Sequence, residues 1–428
     1  MKTNYFIKTT GRLHVIYDDR SDRWVESNEL AGLIDEINTS SKDTEWVGWN
    51  ISPSWYYDLD LDPKKVVDLY MLYAYAGCNR NHGKGALTMP MTIDSMKARK
   101  TAANLWLNHQ LLDNREYYDV FMQYAMPYLN LKNAFFNRQS PVHVDNKLMR
   151  DYFMKGDDPE VMKTLNDMKR CMSYNVLQQT NDGISNLCRW NLLKPVAGLF
   201  RTDGPHGDIV RRVLIPKEGM TFCRIDLKSL EERCRMHFMA FFDKGWECRM
   251  NDPEYDTYKD FADKAGVDRS VGKEIVLGLN YGAGWRTLVQ RTGLDRAAVE
   301  RLIYHYKKMF PAMEDVKRNI TYKSEWEGRY ALNPYTKMWL SCEKEADKFH
   351  TFNSSTATYV FDTLCQEFTD KDVVMQFHDE LVYQFPDGNE EQERNDIAVR
   401  VENLNEILGF NVRFNVSASF GKNYAELH

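Results

Sequence analysis

Three short segments of this chain carry residues whose types and spacing could handle a phosphoryl group. The first, Ile225-Asp226-Leu227-Lys228-Ser229-Leu230-Glu231-Glu232-Arg233, puts an aspartate at the end of the apolar run Thr221-Phe-Cys-Arg-Ile225, just before a helix-like stretch. The second, Arg269-Ser-Val-Gly-Lys273 running on to Tyr281-Gly282, sets two cations four residues apart. The third, Gln376-Phe377-His378-Asp379-Glu380, places another aspartate between the strand-like runs 373–377 and 381–385.

Phosphoryl transfer leaves a protein little covalent work, so such a site must mainly position groups and stabilise charge. Two divalent ions ~3.5–4 Å apart, one activating an attacking hydroxyl and the other steadying a leaving pyrophosphate, need carboxylates that converge on them. Magnesium suits this because it takes one or two carboxylates together with phosphate oxygens and water. Paired strands lie ~4.8 Å apart, so Asp226 at a strand end and Asp379 at a hairpin tip meet if their strands pair. Either aspartate alone reads as a turn residue or helix cap. Arg269, Lys273, Leu277 and Tyr281 form an i, i+4, i+8, i+12 row lying nearly along one helix face, drifting by ~40° per step. That face offers a planar fork and a point charge to phosphate oxygens, an apolar shelf to a sugar and a ring to a base. Alone, it is also an ordinary amphipathic helix with a solvated Arg/Lys pair. The three segments together, in this order, favour the chemical reading.

In order and spacing the segments resemble motifs A, B and C of the family A DNA polymerases, the group of bacterial polymerase I and the small phage replicases. The resemblance implies that Asp226, Asp379 and the backbone of Leu227 bind two Mg²⁺ ions and that Glu231 blocks a ribose 2′-hydroxyl. It implies that Arg269 and Lys273 hold the incoming deoxynucleoside triphosphate, with Lys273 the proton donor to pyrophosphate. Leu277 then lies against the sugar and Tyr281 packs at the templating position. Gln376, His378 and Arg233 fall at family positions associated with primer and template. The ending Gly421-Lys-Asn423-Tyr424-Ala-Glu-Leu-His428 resembles the family's Gly-x-Asn-Trp-x-x-x-His, with Tyr for Trp, and Phe310-Pro311 and Tyr330-Ala-Leu-Asn-Pro also resemble family segments. The resemblance is strong over 205–428 and weaker over 90–204, where Met89-Pro-Met-Thr-Ile-Asp94 looks like the start of a thumb. Two positions depart from the pattern. Leu277 stands where Phe or Tyr is usual, and the glutamine expected before motif C falls on Asn353 or Ser354.

The elements that must position these residues can be read coarsely. Residues 12–18 and 46–51 have strand patterns; 29–37 and 63–75 have helical spacing, and 79–85 is a boundary loop. Helical patterns fill 92–180, with polar breaks at 137–141 and 156–159, and dominate again from 227 to about 327. Two strands, a helix at 390–407 and a strand at 411–417 close the chain. The resemblance implies an α+β, mostly helical right-hand polymerase fold with an antiparallel palm sheet. Residues 1–85 form a small α/β region, 86–185 the thumb, 186–239 and 346–428 the palm, and 240–345 the fingers. No Asp-x-Glu opens the chain, and it is too short for a complete exonuclease beside a polymerase. Residues 1–85 are therefore expected to be a degenerate exonuclease-like remnant without proofreading, or an unrelated α/β cap.

Composition agrees with a globular enzyme: 428 residues, 43% hydrophobic and 28% charged. The 13% aromatic share suits base stacking but serves packing equally well. The eight cysteines form no Cys-x-x-Cys pair, so neither a zinc site nor a disulfide framework is suggested, and a reducing cytoplasm fits. No signal core or membrane-length run is present. The net charge of −6 runs against nucleic-acid binding, although basic residues cluster at Lys97-Ala-Arg99-Lys100, at Arg201 with Arg211, Arg212 and Lys217, and at Lys307, Lys308, Lys317 and Arg318. The expectation is a monomeric DNA-directed DNA polymerase acting on primer-template DNA, of phage or plasmid type and located in the host cytoplasm. No residue pattern names a helicase, primase or clamp partner. A single-subunit RNA polymerase is disfavoured by Glu231 and Glu380, and a non-catalytic DNA-binding accessory protein by the presence of both aspartates.

Overall fold

The computed structural model describes residues 2–9, 12–18, 20–78, 94–102, 119–153, 159–192, 198–199, 206–252, 255–325 and 328–428. The boundary loop expected at 79–85, the thumb-like start at 89–93, the break at 156–158 and Arg201 lie outside the described residues. The chain divides into two compact units, one of residues 1–227, 361–403 and 416–428 and one of 228–360 and 404–415.

The first unit opens with a mixed sheet. β1 (Lys2–Thr9), β2 (Arg12–Tyr17) and β3 (Ser21–Val25) form an antiparallel meander. α1 (Leu30–Thr39) leads to β4 (Thr44–Gly48), parallel to β1, and β5 (Val66–Asp68) lies parallel to β4, giving the order β3-β2-β1-β4-β5. α1 buries Leu33, Ile34 and Ile37, the apolar stripe that its helical spacing predicts. These side chains join Phe6, Val15, Trp46 and Trp55 in one core.

The helix expected over 63–75 is corrected: Val66–Asp68 is a strand, and the helix runs Leu69–Cys78. Asp68 explains the change of element. Its buried carboxylate accepts from the backbone N–H of Asn50 (2.8 Å), Ile51 (3.0 Å) and Tyr70 (3.0 Å), which stops the strand and starts the helix. Burial raises the Asp68 pKa, while those N–H groups pull it back.

The same unit holds a four-stranded antiparallel sheet ordered Asp372–Phe377, Glu380–Pro386, Met220–Leu227, Val416–Gly421. Phe222, Val374 and Val382 pack in one cluster with Tyr424 and Leu427 of the C-terminal turn. A buried ion pair fixes the helix Met126–Arg138 nearby: Lys132 Nζ donates to both oxygens of Asp362, at 2.8 and 2.7 Å. Ser140 N–H donates to Val373 O at 2.7 Å, tying the end of that helix to the sheet edge. The strand expected over 411–417 begins only at Val416. Both main-chain groups of Phe414 are taken by the Asn405 side chain (2.6 and 3.0 Å), so that residue cannot enter the ladder.

The second unit is helical except for a three-stranded antiparallel sheet of Tyr322–Glu325, Gly328–Leu332 and Trp339–Cys342. Its core joins Trp246, Ile275, Val276, Leu288, Leu302, Phe310 and Phe352.

Asp68→Ala removes the buried acceptor of the Asn50, Ile51 and Tyr70 N–H groups and is expected to lower the stability of the first unit by about 2 kcal/mol. Asp58→Ala, which removes only an exposed 3.8 Å pairing with Arg138, is expected to cost less than about 1 kcal/mol. Urea unfolding of the two variants beside the parent protein checks the contrast.

Candidate active site

The register of the second sheet of the first unit brings the two aspartates to one edge. Asp226, next to the end of its strand, lies opposite Glu380 on one side and Ser417 on the other. Phe377 pairs with Glu380, leaving His378 and Asp379 as a two-residue hairpin turn. His378 takes φ 57°, a left-handed conformation that two-residue hairpin turns demand and that costs a non-glycine residue on the order of 1 kcal/mol. Leu227 N–H donates to Asp379 O at 3.4 Å, which holds the turn against the end of the Asp226 strand.

The two glutamate and aspartate neighbours in this register behave oppositely. Burial raises the Asp226 pKa, and the charges of Asp379 and Glu380 raise it further against the opposing pull of Arg224. Burial also pushes Glu380 upward, but bonds from His428, Arg224 and Tyr424 outweigh it and hold that carboxyl below its usual range. Arg224 Nε donates to Glu380 at 2.7 Å and Tyr424 OH donates at 2.6 Å, while His428 Nε2 lies 3.6 Å away. Glu380 is thus a buried anchor for the C-terminal turn, whereas at Asp226 burial and two neighbouring carboxylates outweigh the pull of Arg224.

The donor set fits a divalent cation of the magnesium kind. Asp226 and Asp379 are only half-buried, and their mutual repulsion is what a 2+ ion relieves. Among the described residues no group of three or more His, Cys, Asp or Glu side chains could hold a metal by itself. Two carboxylates, completed by phosphate oxygens and water, are what magnesium accepts.

In the second unit the helix Arg269–Asn280 carries the expected row. Arg269 and Lys273 are exposed, Leu277 is half-buried, and Tyr281 caps the C-terminus. Gly272 lies so close to the helix Thr257–Ala265 that a Cβ there would meet Tyr258 O at 2.9 Å. Asp256 caps that neighbouring helix through Tyr258 N–H (2.9 Å) and Lys259 N–H (3.0 Å), and it accepts from Arg269 Nε at 2.7 Å. Burial raises the Asp256 pKa, yet the Lys259 N–H and the Arg269 guanidinium bring it below the usual range. Tyr281 OH donates to the Glu231 carboxylate, and its ring meets His350 edge-on at 4.7 Å. Asn353 Nδ2 donates to Glu231 O at 2.9 Å, whereas Ser354 bonds His350 at 3.1 Å.

Two residues expected near primer and template have internal partners. Gln376 is buried, its side-chain oxygen accepts from Gln139 Nε2 at 3.2 Å, and its backbone N–H donates to Gln179 Oε1 at 3.3 Å. Arg233 is also buried, its guanidinium on the carbonyls of Lys228 (3.1 Å), Met250 (2.9 Å) and Arg413 (2.7 Å). A contact from Arg233 to a nucleic acid would require those bonds to break. His378 is exposed at the hairpin tip.

The structure therefore groups Asp226, Leu227, Gln376, His378 and Asp379 in the first unit and Glu231, Arg233, Arg269, Lys273, Leu277 and Tyr281 in the second. Arg224, Asp256 and His350 escaped the sequence reading. Arg224 was accessible to it: two residues before Asp226 in a strand is the same face. Asp256 carried the signature of a helix cap.

No family model matches the chain. A 96-residue stretch is 32% identical to a DNA-directed DNA polymerase of Pseudomonas phage M6, covering 20% of this chain and 14% of that protein. The chain thus matches far less than two thirds of that relative's length. In fold, 99% of the chain is similar to 95% of the POL domain of Pol1 from M. smegmatis, solved in complex with DNA primer-template and dNTP, at TM-score 0.68 and 13% identity. The chain has the fold of a polymerase domain, with the mixed α+β architecture expected of it.

The opposite shifts of the two carboxyls predict opposite stability effects. A raised folded pKa makes ionised Asp226 a liability above its folded value, so Asp226→Asn is expected to stabilise metal-free protein at pH 7.5. Glu380, held low, contributes stability above its unfolded pKa, so Glu380→Gln is expected to cost about 2 kcal/mol there. Both effects should fade as the pH falls through the carboxylate range. Urea unfolding in EDTA at a series of pH values reads both signs.

Proposed function

We propose that this protein is a template-directed DNA polymerase that adds deoxynucleotides to a primer 3′ end, of the small phage or plasmid replicase kind. The observation that carries the reading is the register that sets Asp226 beside the Asp379 hairpin turn. The polymerase-domain fold and the stretch of identity to a phage polymerase support it.

In this reading Asp226, Asp379 and the Leu227 carbonyl hold two Mg²⁺ ions, which supply charge stabilisation for an attacking hydroxyl and a departing pyrophosphate when bound. Arg269 and Lys273 grip the triphosphate of the incoming nucleotide, Arg269 leaving Asp256 to do so, and Lys273 donates the proton to pyrophosphate. Glu231 excludes a 2′-hydroxyl, and its bond to Tyr281 holds it in one orientation. Residues 240–345 act as fingers, 86–185 as thumb, and the antiparallel sheet as palm. The N-terminal sheet is an exonuclease-like remnant without a nuclease centre: Asp68 is consumed by backbone N–H groups and Asp58 is an exposed helix end.

Extension of a labelled primer on a DNA template with Mg²⁺ tests the reading, with deoxy- and ribonucleotides supplied separately. Extension by deoxynucleotides is expected, lost by at least about 10³-fold in Asp379→Ala or Asp226→Asn, and Glu231→Ala should admit ribonucleotides. Failure of folded parent protein to extend would overturn the proposal. A mismatched 3′ end should survive incubation with the same protein. Leu277→Tyr should change dideoxynucleotide use, because a ring meets the sugar differently from an aliphatic shelf; competition between deoxy- and dideoxynucleotides measures this.

A further inference from the structure

We propose that Arg224 is a resident counter-ion of the carboxylate pair, a positioning residue that holds Asp226 until a divalent cation takes its place, and that it thereby sets how much metal the site requires. The inference rests on reading Asp226 and Asp379 as cation ligands.

Arg224 and Asp226 are two residues apart in one strand and so share a face of the sheet. Glu380 lies directly opposite Asp226 and points to that face as well. Two like charges directly across a strand pair repel, and the guanidinium answers both. Its Nε donates to Glu380 Oε2 at 2.7 Å, and its Nη2 donates to Asp226 Oδ2. The two attachments are unequal. Glu380 is buried and fixed on its other oxygen by Tyr424 OH at 2.6 Å, whereas the Asp226 side chain is 28% exposed. The Nε end is therefore anchored in the sheet, and the Nη2 end reaches the carboxylate that faces outward.

This arrangement permits an exchange. A cation arriving at Asp226 has one guanidinium bond to displace, and Arg224 keeps its place on Glu380 while that happens. A guanidinium stays charged at any working pH, so it opposes the arriving ion by repulsion as well as by occupancy. Without it, the local charge of Asp226, Asp379 and Glu380 rises from two negatives to three. A unit charge removed several ångströms from a divalent ion in a water-like medium changes affinity by on the order of tenfold. In the metal-free protein the same side chain prevents Asp226 and Glu380 from pushing the strand pair apart.

The test is a titration of the full chain with Mn²⁺ alone, without DNA or nucleotide, read by calorimetry and by the paramagnetic resonance of free Mn²⁺. Arg224→Ala is expected to bind Mn²⁺ about tenfold more tightly than the parent protein while its metal-free melting temperature falls. Arg224→Lys, which restores the charge, should return the affinity toward the parent value. Arg224→Gln, similar in size but neutral, should bind tightly like the alanine variant and serves if that variant does not fold. A purely structural role would weaken metal binding, so unchanged or weaker Mn²⁺ affinity in folded Arg224→Ala or Arg224→Gln overturns the proposal and leaves the cation-ligand reading standing. Parent-protein Mn²⁺ binding that ignores both Asp226→Asn and Asp379→Asn overturns the two together.

Discussion

The pairing of the strand Met220–Leu227 with the hairpin strand Glu380–Pro386 is the constraint on which the site depends. Because side chains alternate between faces, a slip of one residue would turn Asp226 to the opposite face and bring Ile225 in its place. The register is held from several directions. The turn carbonyl of Asp379 accepts from Leu227, the bulge between Val373 and Met375 adjusts the outer strand, and Phe222, Val374 and Val382 fill one cluster behind it. Holding the carboxylates this firmly has an electrostatic cost, visible in the raised Asp226 pKa. Arg224, Tyr424 and His428 offset it by fixing Glu380 as an ion.

Buried polar groups do the remaining positioning. Lys132 and Asp362 are almost fully removed from water, an arrangement that seldom adds much net stability but makes misplacing either helix expensive. Arg233 acts similarly in the second unit, where three carbonyls converge on one guanidinium and fasten the residue 413 segment and the end of the helix Gly245–Met250 to the helix that starts at Leu230. Such groups specify geometry where apolar packing would tolerate drift. Two such guanidiniums lie close in sequence to candidate site residues: Arg233 is two positions from Glu231, and Arg224 two from Asp226.

The legible parts of the sequence were those governed by local periodicity. The strand end at Asp226, the hairpin around Asp379 and the helical row from Arg269 to Tyr281 follow from spacings of two and four residues, and each is found where that spacing puts it. What was not legible depends on partners far away in the chain. Val66–Asp68 reads as helix until Asp68 is seen to collect N–H groups from residues 50 and 51. Residues 411–415 read as strand until Asn405 is seen to occupy Phe414. The resemblance puts Arg233 and Gln376 at primer and template positions, and only tertiary contacts reveal their internal partners.

The same distinction bears on the negative net charge. Some cations of the basic clusters that suggest a polyanion surface in the sequence are answered by their own neighbours: Arg212 by Asp208, Lys217 by Asp372, Lys317 by Glu314 and Arg318 by Asp315. Most of these pairs are exposed and worth little, so an arriving phosphate can take the carboxylate's place at small cost. Arg269 with Asp256 is paired in the same way at the head of the row that runs to Tyr281, and Arg224 with Asp226 is paired on the sheet. In these two pairs the carboxylate also serves the fold, Asp256 as a helix cap and Asp226 as a sheet neighbour. If the proposed function holds, a chain with a net charge of −6 would meet phosphates by exchange, its paired cations leaving their carboxylates where an anion arrives.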